Sequence, residues 1–221
     1  MKVVSIIGQE GGSSKSTVAL NLAVCAEQAG YSVAVIDTDP QGSAHKWFER
    51  REAETPSIVR ESDPDALPRL IKIAASNKTD LLIVDTPGKA EATALAVSEL
   101  ADLILAPVKP TQFDLETLGA VKRTIRIAEK MDAGWVMLSQ VPTSSKKVAD
   151  EGEAAVQGYG LKLVPHKFMT RADFAYSMSS GLAATEFEPK GKAAEEARAL
   201  FNWVRGTLDL SDPSERKLAN A

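Results

Sequence analysis

Gly8-Gln9-Glu10-Gly11-Gly12-Ser13-Ser14-Lys15-Ser16-Thr17 follows the apolar run Val3 to Ile7 and leads directly into Val18-Ala19-Leu20-Asn21-Leu22, which reads as helix. A strand, a glycine-rich loop, a Lys-Ser pair and a helix, in that order, form the setting in which backbone N–H groups cradle a polyphosphate. Gly11 and Gly12 let the backbone approach the phosphates, Ser13, Ser14 and Thr17 complete the cradle, and the helix start adds positive potential. Lys15 is placed to reach the β and γ oxygens of ATP, and the Ser16 hydroxyl to ligate Mg²⁺. The match to the strict pattern is incomplete. Glycine is wanted immediately before the lysine and again five residues earlier, and Ser14 and Gln9 stand there. Taken alone, the stretch also fits a flexible strand-to-helix turn that happens to contain Lys-Ser-Thr.

Working outward, short β-branched runs recur at Val3 to Ile7, Ser32 to Ile36, Leu81 to Val84, Leu103 to Ala106, Trp135 to Leu138 and Leu161 to Val164. Between and beyond them lie helical patterns at Lys15 to Ala29, Pro64 to Ser76, Ala90 to Ala101, Leu115 to Met131, Lys146 to Gln157, Arg171 to Ser179 and Ala193 to Thr207. The runs are nearly continuous in apolar residues, which predicts strands buried on both faces. The fold class expected is α/β, a doubly wound, mostly parallel sheet with helices on both faces, as in P-loop NTPases. Residues 1–208 are expected to form a single domain and residues 209–221 a loosely held polar tail. Such folds place ligands beyond the C-terminal ends of their strands.

Two more strand ends carry carboxylates, in Val35-Ile36-Asp37-Thr38-Asp39-Pro40-Gln41 and in Leu82-Ile83-Val84-Asp85-Thr86-Pro87-Gly88. An aspartate after an apolar strand beside a phosphate loop suits a water-mediated Mg²⁺ contact, because magnesium keeps several of its waters. Asp85 is the candidate for that contact. In the other loop, one of Asp37 and Asp39 can support the metal shell while the other orients the attacking water, and Asp37 is counted among the cofactor-binding residues. Any one of these aspartates would more commonly be a turn or capping residue; the coincidence of all three loops argues against that for the set.

The composition bounds the rest. With 221 residues, 44% of them hydrophobic, the chain can bury one substantial core. The single cysteine, Cys25, lies among Leu22, Ala23 and Val24 and reads as a small buried hydrophobe. The short N-terminal apolar run does not suit a signal peptide, and no run approaches the ~20 apolar residues of a membrane span, so a soluble cytoplasmic protein is expected. The net charge of −4 disfavours a chain that adheres to nucleic acid over its whole surface. Residues 160–221, however, carry nine Lys and Arg against eight Asp and Glu, which leaves the acidic excess in the first part of the chain and permits a basic C-terminal face. His45 and His166 have no cysteine partners and do not suggest a metal cage.

On Gly11 to Thr17, Asp37-Thr38-Asp39-Pro40-Gln41, Ile83-Val84-Asp85-Thr86-Pro87, Pro107-Val108-Lys109-Pro110 and Arg171-Ala172-Asp173-Phe174, the chain resembles the ParA/MinD group of deviant Walker ATPases, and within it the short ParA proteins. The resemblance implies an ATP-bound sandwich homodimer that coats DNA nonspecifically on the nucleoid. A ParB-like or adaptor protein would stimulate hydrolysis and release it, so that a plasmid, chromosome or protein cluster is partitioned or positioned. It further implies Lys15 as the phosphate lysine, Ser16 as the Mg²⁺ ligand, Asp39 as the residue orienting water and Asp85 as the Walker B aspartate. Pro107 and Pro110 would lie near the base and the dimer face. The family pattern, Lys-Gly-Gly-x-Gly-Lys-Ser/Thr, begins with a lysine that reaches across the dimer, and here that position is Glu10. The exchange changes the local charge by two units, each worth about 4 kcal/mol at ~4 Å and an effective dielectric near 20. Carboxysome-distribution ATPases are similar in lacking that lysine; Lys146 or Lys147 is a candidate substitute.

Arg171, Lys190, Lys192, Arg198 and Arg205 are the expected backbone contacts to DNA under this resemblance, with Lys122, Arg126 and Lys130 a second basic stripe whose simpler meaning is a solvated helix face. Leu200, Phe201, Trp203, Val204 and Leu208 give the last helix an apolar side, expected to pack on the core and not on a membrane. Two alternatives stand beside the positioning ATPase: a degenerate scaffold that binds nucleotide without turnover, favoured by Glu10 and Ser14, and a P-loop biosynthetic ligase, disfavoured by the Asp-Pro-Gln loop.

Overall fold

The computed structural model describes residues 1–213, and the expected tail beyond Pro213 lies outside the described residues. Seven strands, β1 (Lys2–Ile6), β2 (Val33–Asp37), β3 (Ser57–Arg60), β4 (Leu81–Asp85), β5 (Leu103–Val108), β6 (Gly134–Leu138) and β7 (Lys162–Leu163), form one sheet in the order β3-β2-β4-β1-β5-β6-β7. Every pairing is parallel. The helices are α1 (Lys15–Gln28), α2 (Ser43–Phe48), α3 (Leu67–Ser76), α4 (Glu91–Leu100), α5 (Gln112–Glu116), α6 (Leu118–Ile127), α7 (Lys146–Gly158), α8 (Ala172–Ser179), α9 (Ala184–Phe187) and α10 (Lys192–Thr207).

The side-chain alternation of a strand sends successive residues to opposite faces, and both faces here are dry. Val4, Ile6, Val35, Ile83 and Leu105 pack with Leu22, Ala26, Leu200, Phe201 and Val204 of α1 and α10. Val3, Ile7, Ile36, Leu82, Val84 and Ile104 pack on the other side with Val97, Leu118, Ile125 and Val156 of α4, α6 and α7. The apolar side of α10 is thus core, with Trp203 set edge-on to Trp135 at 5.0 Å between ring centroids. Among the described residues no helix is long and apolar enough to cross a membrane.

Helix α1 is buried along most of its length because it lies between the sheet, α9 and α10. Its one buried amide, Asn21, is satisfied on both sides: Nδ2 donates to the Thr17 carbonyl at 2.8 Å and Oδ1 accepts from the Ala184 N–H at 2.8 Å. Cys25 is buried, and burial pushes its thiol up to about 11.

Several elements differ from the expectation, among them the short helices α2 and α9, which lie outside every expected helical stretch. Edge strand β3 was not anticipated, since Ser57-Ile58-Val59-Arg60 is largely exposed and lacks the apolar continuity of the inner strands. The single helix expected over Leu115 to Met131 is two, α5 and α6, meeting at Thr117, whose hydroxyl donates back to the Asp114 carbonyl. The segment expected to be loose from Asp209 is held at its start, where Leu210 packs on the core and its carbonyl accepts from the Tyr31 hydroxyl at 3.4 Å.

Candidate functional site

The sheet brings the three loops together. Strand β4 lies between β1 and β2, and its last residue, Asp85, is in register with Ile6 on one side and Asp37 on the other. The loop after β1 and both aspartate loops therefore emerge side by side at the C-terminal edge. Hydrogen bonds continue the order beyond the strands: Thr38 N–H donates to the Asp85 carbonyl at 2.9 Å, and the Thr86 side-chain hydroxyl donates to the Ile6 carbonyl at 2.8 Å.

The loop 8–17 curls around its own lysine. Lys15 Nζ donates to the Glu10 carbonyl at 2.8 Å, and the Ser13 hydroxyl donates to the same oxygen at 3.1 Å. Two residues take the left-handed conformation that the curl requires, Gly12 at φ +73° and, without glycine's freedom, Ser14 at φ 72°. Ser14 is held by Gln140, whose Nε2 donates to the Ser14 hydroxyl and to the Gly12 carbonyl, each at 2.7 Å. The first intrahelical bond of α1 runs from Val18 N–H to the Ser14 carbonyl, so the N–H groups just before it lack helical partners and present a positive end to an anion. Burial lowers the pKa of Lys15, partly offset by Asp85, Asp39 and Glu10.

The carboxylates differ in how they are used. Asp85 is fully buried and neither oxygen has a hydrogen-bond partner of ordinary geometry. Burial pushes its carboxyl up to about 7, against a smaller downward pull from the Ser16 hydroxyl. Two orphaned oxygens beside a serine hydroxyl and a lysine are what a hydrated Mg²⁺ would satisfy, and the donor set, carboxylate and hydroxyl oxygen, suits that hard cation. Asp37 is different. Its oxygens accept from the Asp39 and His45 backbone N–H groups, each at 3.0 Å, so the carboxylate expected to contact the cofactor also shapes the turn into α2. Asp39 accepts from Gln41 N–H at 2.8 Å and lines an open cavity of about 660 Å³ with Glu10, Gly11, Gln41, Gly88 and Lys89.

A second cavity, about 300 Å³, opens on the other side of the loop, lined by Ser14, Thr17, Gln140, Phe168, Met169, Thr170, Arg171, Phe174, Ala175 and Met178. Phe168 and Phe174 stack at 4.4 Å, and the mixture of apolar wall and a few polar groups suits a flat ring such as a nucleobase. Of these, Ser14, Thr17 and the Arg171 to Phe174 stretch carry a signal in the sequence, whereas Gln140, Phe168, Met169, Thr170, Ala175 and Met178 carry none.

The sequence profile of the CobQ/CobB/MinD/ParA nucleotide binding domain matches residues 4–173. The chain belongs to that family. A relative, the maintenance of carboxysome distribution protein A of Gloeobacter kilaueensis, is 31% identical over 211 residues, 94% of each chain. In fold the chain is similar to a substituted form of Cyanothece McdA in complex with ATP, with a TM-score of 0.67 and 17% identity over 96% of this chain and 97% of that one. It is similar also to the septum site-determining protein MinD of Pyrococcus horikoshii complexed with Mg-ADP, with a TM-score of 0.73 and 18% identity over 92% and 95%.

Against this ParA/MinD frame, several expected residues sit elsewhere than anticipated. Pro107 is buried within β5, and Pro110 packs toward Gly152 of α7, where a Cβ would meet it at 3.0 Å; neither lines the cavities beside the phosphate loop, because the strand carries them past it. The residue of that stretch that reaches the loop is Lys109, whose Nζ would lie 3.7 Å from a Cβ on Gly12. Arg171 was expected on a DNA face but lines the base-sized cavity and pairs with Glu196 at 2.7 Å. Lys192 pairs with Glu195 at 2.8 Å, and Arg198 donates to the Pro189 carbonyl at 2.8 Å. Lys190 and Arg205 are exposed, and Arg198 and Arg205, seven residues apart on α10, share a face. In the other stripe, Lys122 and Lys130 donate to the Tyr159 and Ala101 carbonyls.

Proposed function

We propose that this chain is a ParA-type positioning ATPase. The observation that carries the reading is Asp85, a fully buried carboxylate with two unpartnered oxygens, set by strand register beside Lys15 and Ser16 of the phosphate loop. Backbone N–H groups from Gly11 to Thr17 and the Lys15 ammonium bind the phosphates of ATP, and the 300 Å³ cavity takes the base. Ser16 and, through water, Asp85 would hold Mg²⁺, which would supply charge neutralisation of the phosphates. Asp39, at the wall of the open cavity, orients the hydrolytic water.

Residues 1–208 act as one ATPase domain. The open face bearing Glu10, Asp39 and Gly88 pairs two ATP-bound copies, and the dimer binds DNA nonspecifically through exposed Lys190, Arg198 and Arg205. An adaptor stimulates hydrolysis and release, so the protein is nucleoid-associated while ATP-bound. The likeness to a carboxysome-distribution relative along nearly the whole chain favours a protein cluster as cargo. The half-exposed Glu10 beside the phosphates supports a second reading, a nucleotide-binding scaffold with little turnover.

The test is ATP-dependent binding to nonspecific DNA at two salt concentrations, alongside phosphate release with and without DNA. Salt-sensitive binding that needs ATP and is lost in Lys15→Ala supports the positioning ATPase. Absence of DNA binding sinks it, and nucleotide binding without turnover selects the scaffold.

A further inference from the structure

The nucleotide loop is crowded with negative charge. Glu10, Asp39 and Asp85 all act on Lys15, and a triphosphate would add several more charges to a site whose loop contributes one ammonium. A second cation stands close by. Lys109 Nζ lies 3.7 Å from where a Cβ on Gly12 would sit, on the open side of a glycine whose φ of +73° bends the loop there.

Its placement is fixed by the fold. Lys109 directly follows β5, which is hydrogen-bonded to β1 on one side and β6 on the other, and prolines 107 and 110 flank it. The side chain is half-buried, yet its ammonium has no hydrogen-bond or ion-pair partner among the described residues. Other partly buried lysines of this chain differ: Lys122, Lys130, Lys162 and Lys167 each donate to a carbonyl or carboxylate. An ammonium without an acceptor beside this loop is available to complete an anion there by a charge-assisted hydrogen bond.

We propose that Lys109 is a second phosphate-binding cation of this site, contacting the terminal phosphates of the bound nucleoside triphosphate from the Gly12 side of the loop. The proposal rests on the ATP-binding reading above. It assigns the compensating positive charge to the strand neighbouring the loop, where Glu10 within the loop supplies none.

The test compares wild type, Lys15→Ala, Lys109→Met and Lys109→Arg in equilibrium binding of Mg-ATP, ADP and AMP, with the thermal midpoint of each variant as the folding control. Methionine keeps the aliphatic stem and removes the charge. Lys109→Met is expected to lose about tenfold or more in ATP affinity, less in ADP and nothing in AMP, and Lys109→Arg to restore most of the loss. A uniform loss across the three nucleotides, or none, overturns the proposal. If wild type binds ATP through Lys15 and Lys109→Met binds it equally well, this assignment alone fails. If wild type binds no nucleotide, the underlying reading fails with it.

Discussion

Gly88 lies against Glu10 so closely that a Cβ on it would stand 3.0 Å from the Glu10 carbonyl carbon and 3.0 Å from the Gly11 nitrogen. The loop after β4 is thereby seated on the phosphate loop, backbone on backbone. Gly88→Ala must displace one of them, since no flexible side chain is there to yield. The expected result is a destabilisation of about 1–3 kcal/mol in urea unfolding, together with weakened ATP binding. A variant that binds ATP like the wild type would show that the two loops move independently.

Ser14 holds a left-handed conformation while accepting a hydrogen bond from Gln140. Ser14→Ala keeps the strained backbone and loses the bond. Ser14→Gly loses the bond and relieves the strain. The glycine variant is therefore expected to be more stable than the alanine variant by roughly 1 kcal/mol, as read by chemical denaturation. Equal stabilities would mean the backbone there is not held as described.

The Asp85 carboxyl, at about 7 in the folded chain against 3.8 ordinarily, sets a pH dependence. The folded state holds this proton more tightly than the unfolded state, so the stability it contributes is complete below about pH 4 and is lost as pH rises to about 7. The size is about 4 kcal/mol at most. Without nucleotide or metal, Asp85→Asn should match the wild type near pH 4 and exceed it near pH 8. Parallel urea-stability profiles across that range would refute the assignment.

Asp39 lines the open cavity and is only partly buried. Asp39→Ala is expected to leave ATP affinity nearly unchanged while phosphate release falls about a hundredfold. A matched loss of affinity and turnover would place Asp39 in binding and not in water orientation.

Much of the site was legible because its chemistry is local in sequence. Gly11 to Thr17 is a contiguous loop between a strand and a helix, and Asp37 and Asp85 each directly follow an uninterrupted apolar run that suits a strand buried on both faces, with Asp39 two residues beyond Asp37. The edge strand β3 escaped because it is exposed and has no such run. Asp37 looks equivalent to Asp39 in the sequence, and only the fold shows that its two oxygens each accept a backbone N–H, from Asp39 and from His45.

The sequence alone determined the doubly wound parallel architecture and the phosphate loop, since apolar continuity and glycine spacing act over a few residues. The tertiary structure decided which distant residues meet. Lys109 reaches Gly12 because β5 pairs with β1, Arg171 turns into the base-sized cavity because Glu196 of α10 holds it, and Asp85 sits between the other two loops because β4 inserts between β1 and β2. Those neighbours are set by strand order and helix packing across scores of residues, for which no local pattern in the chain provides a signal.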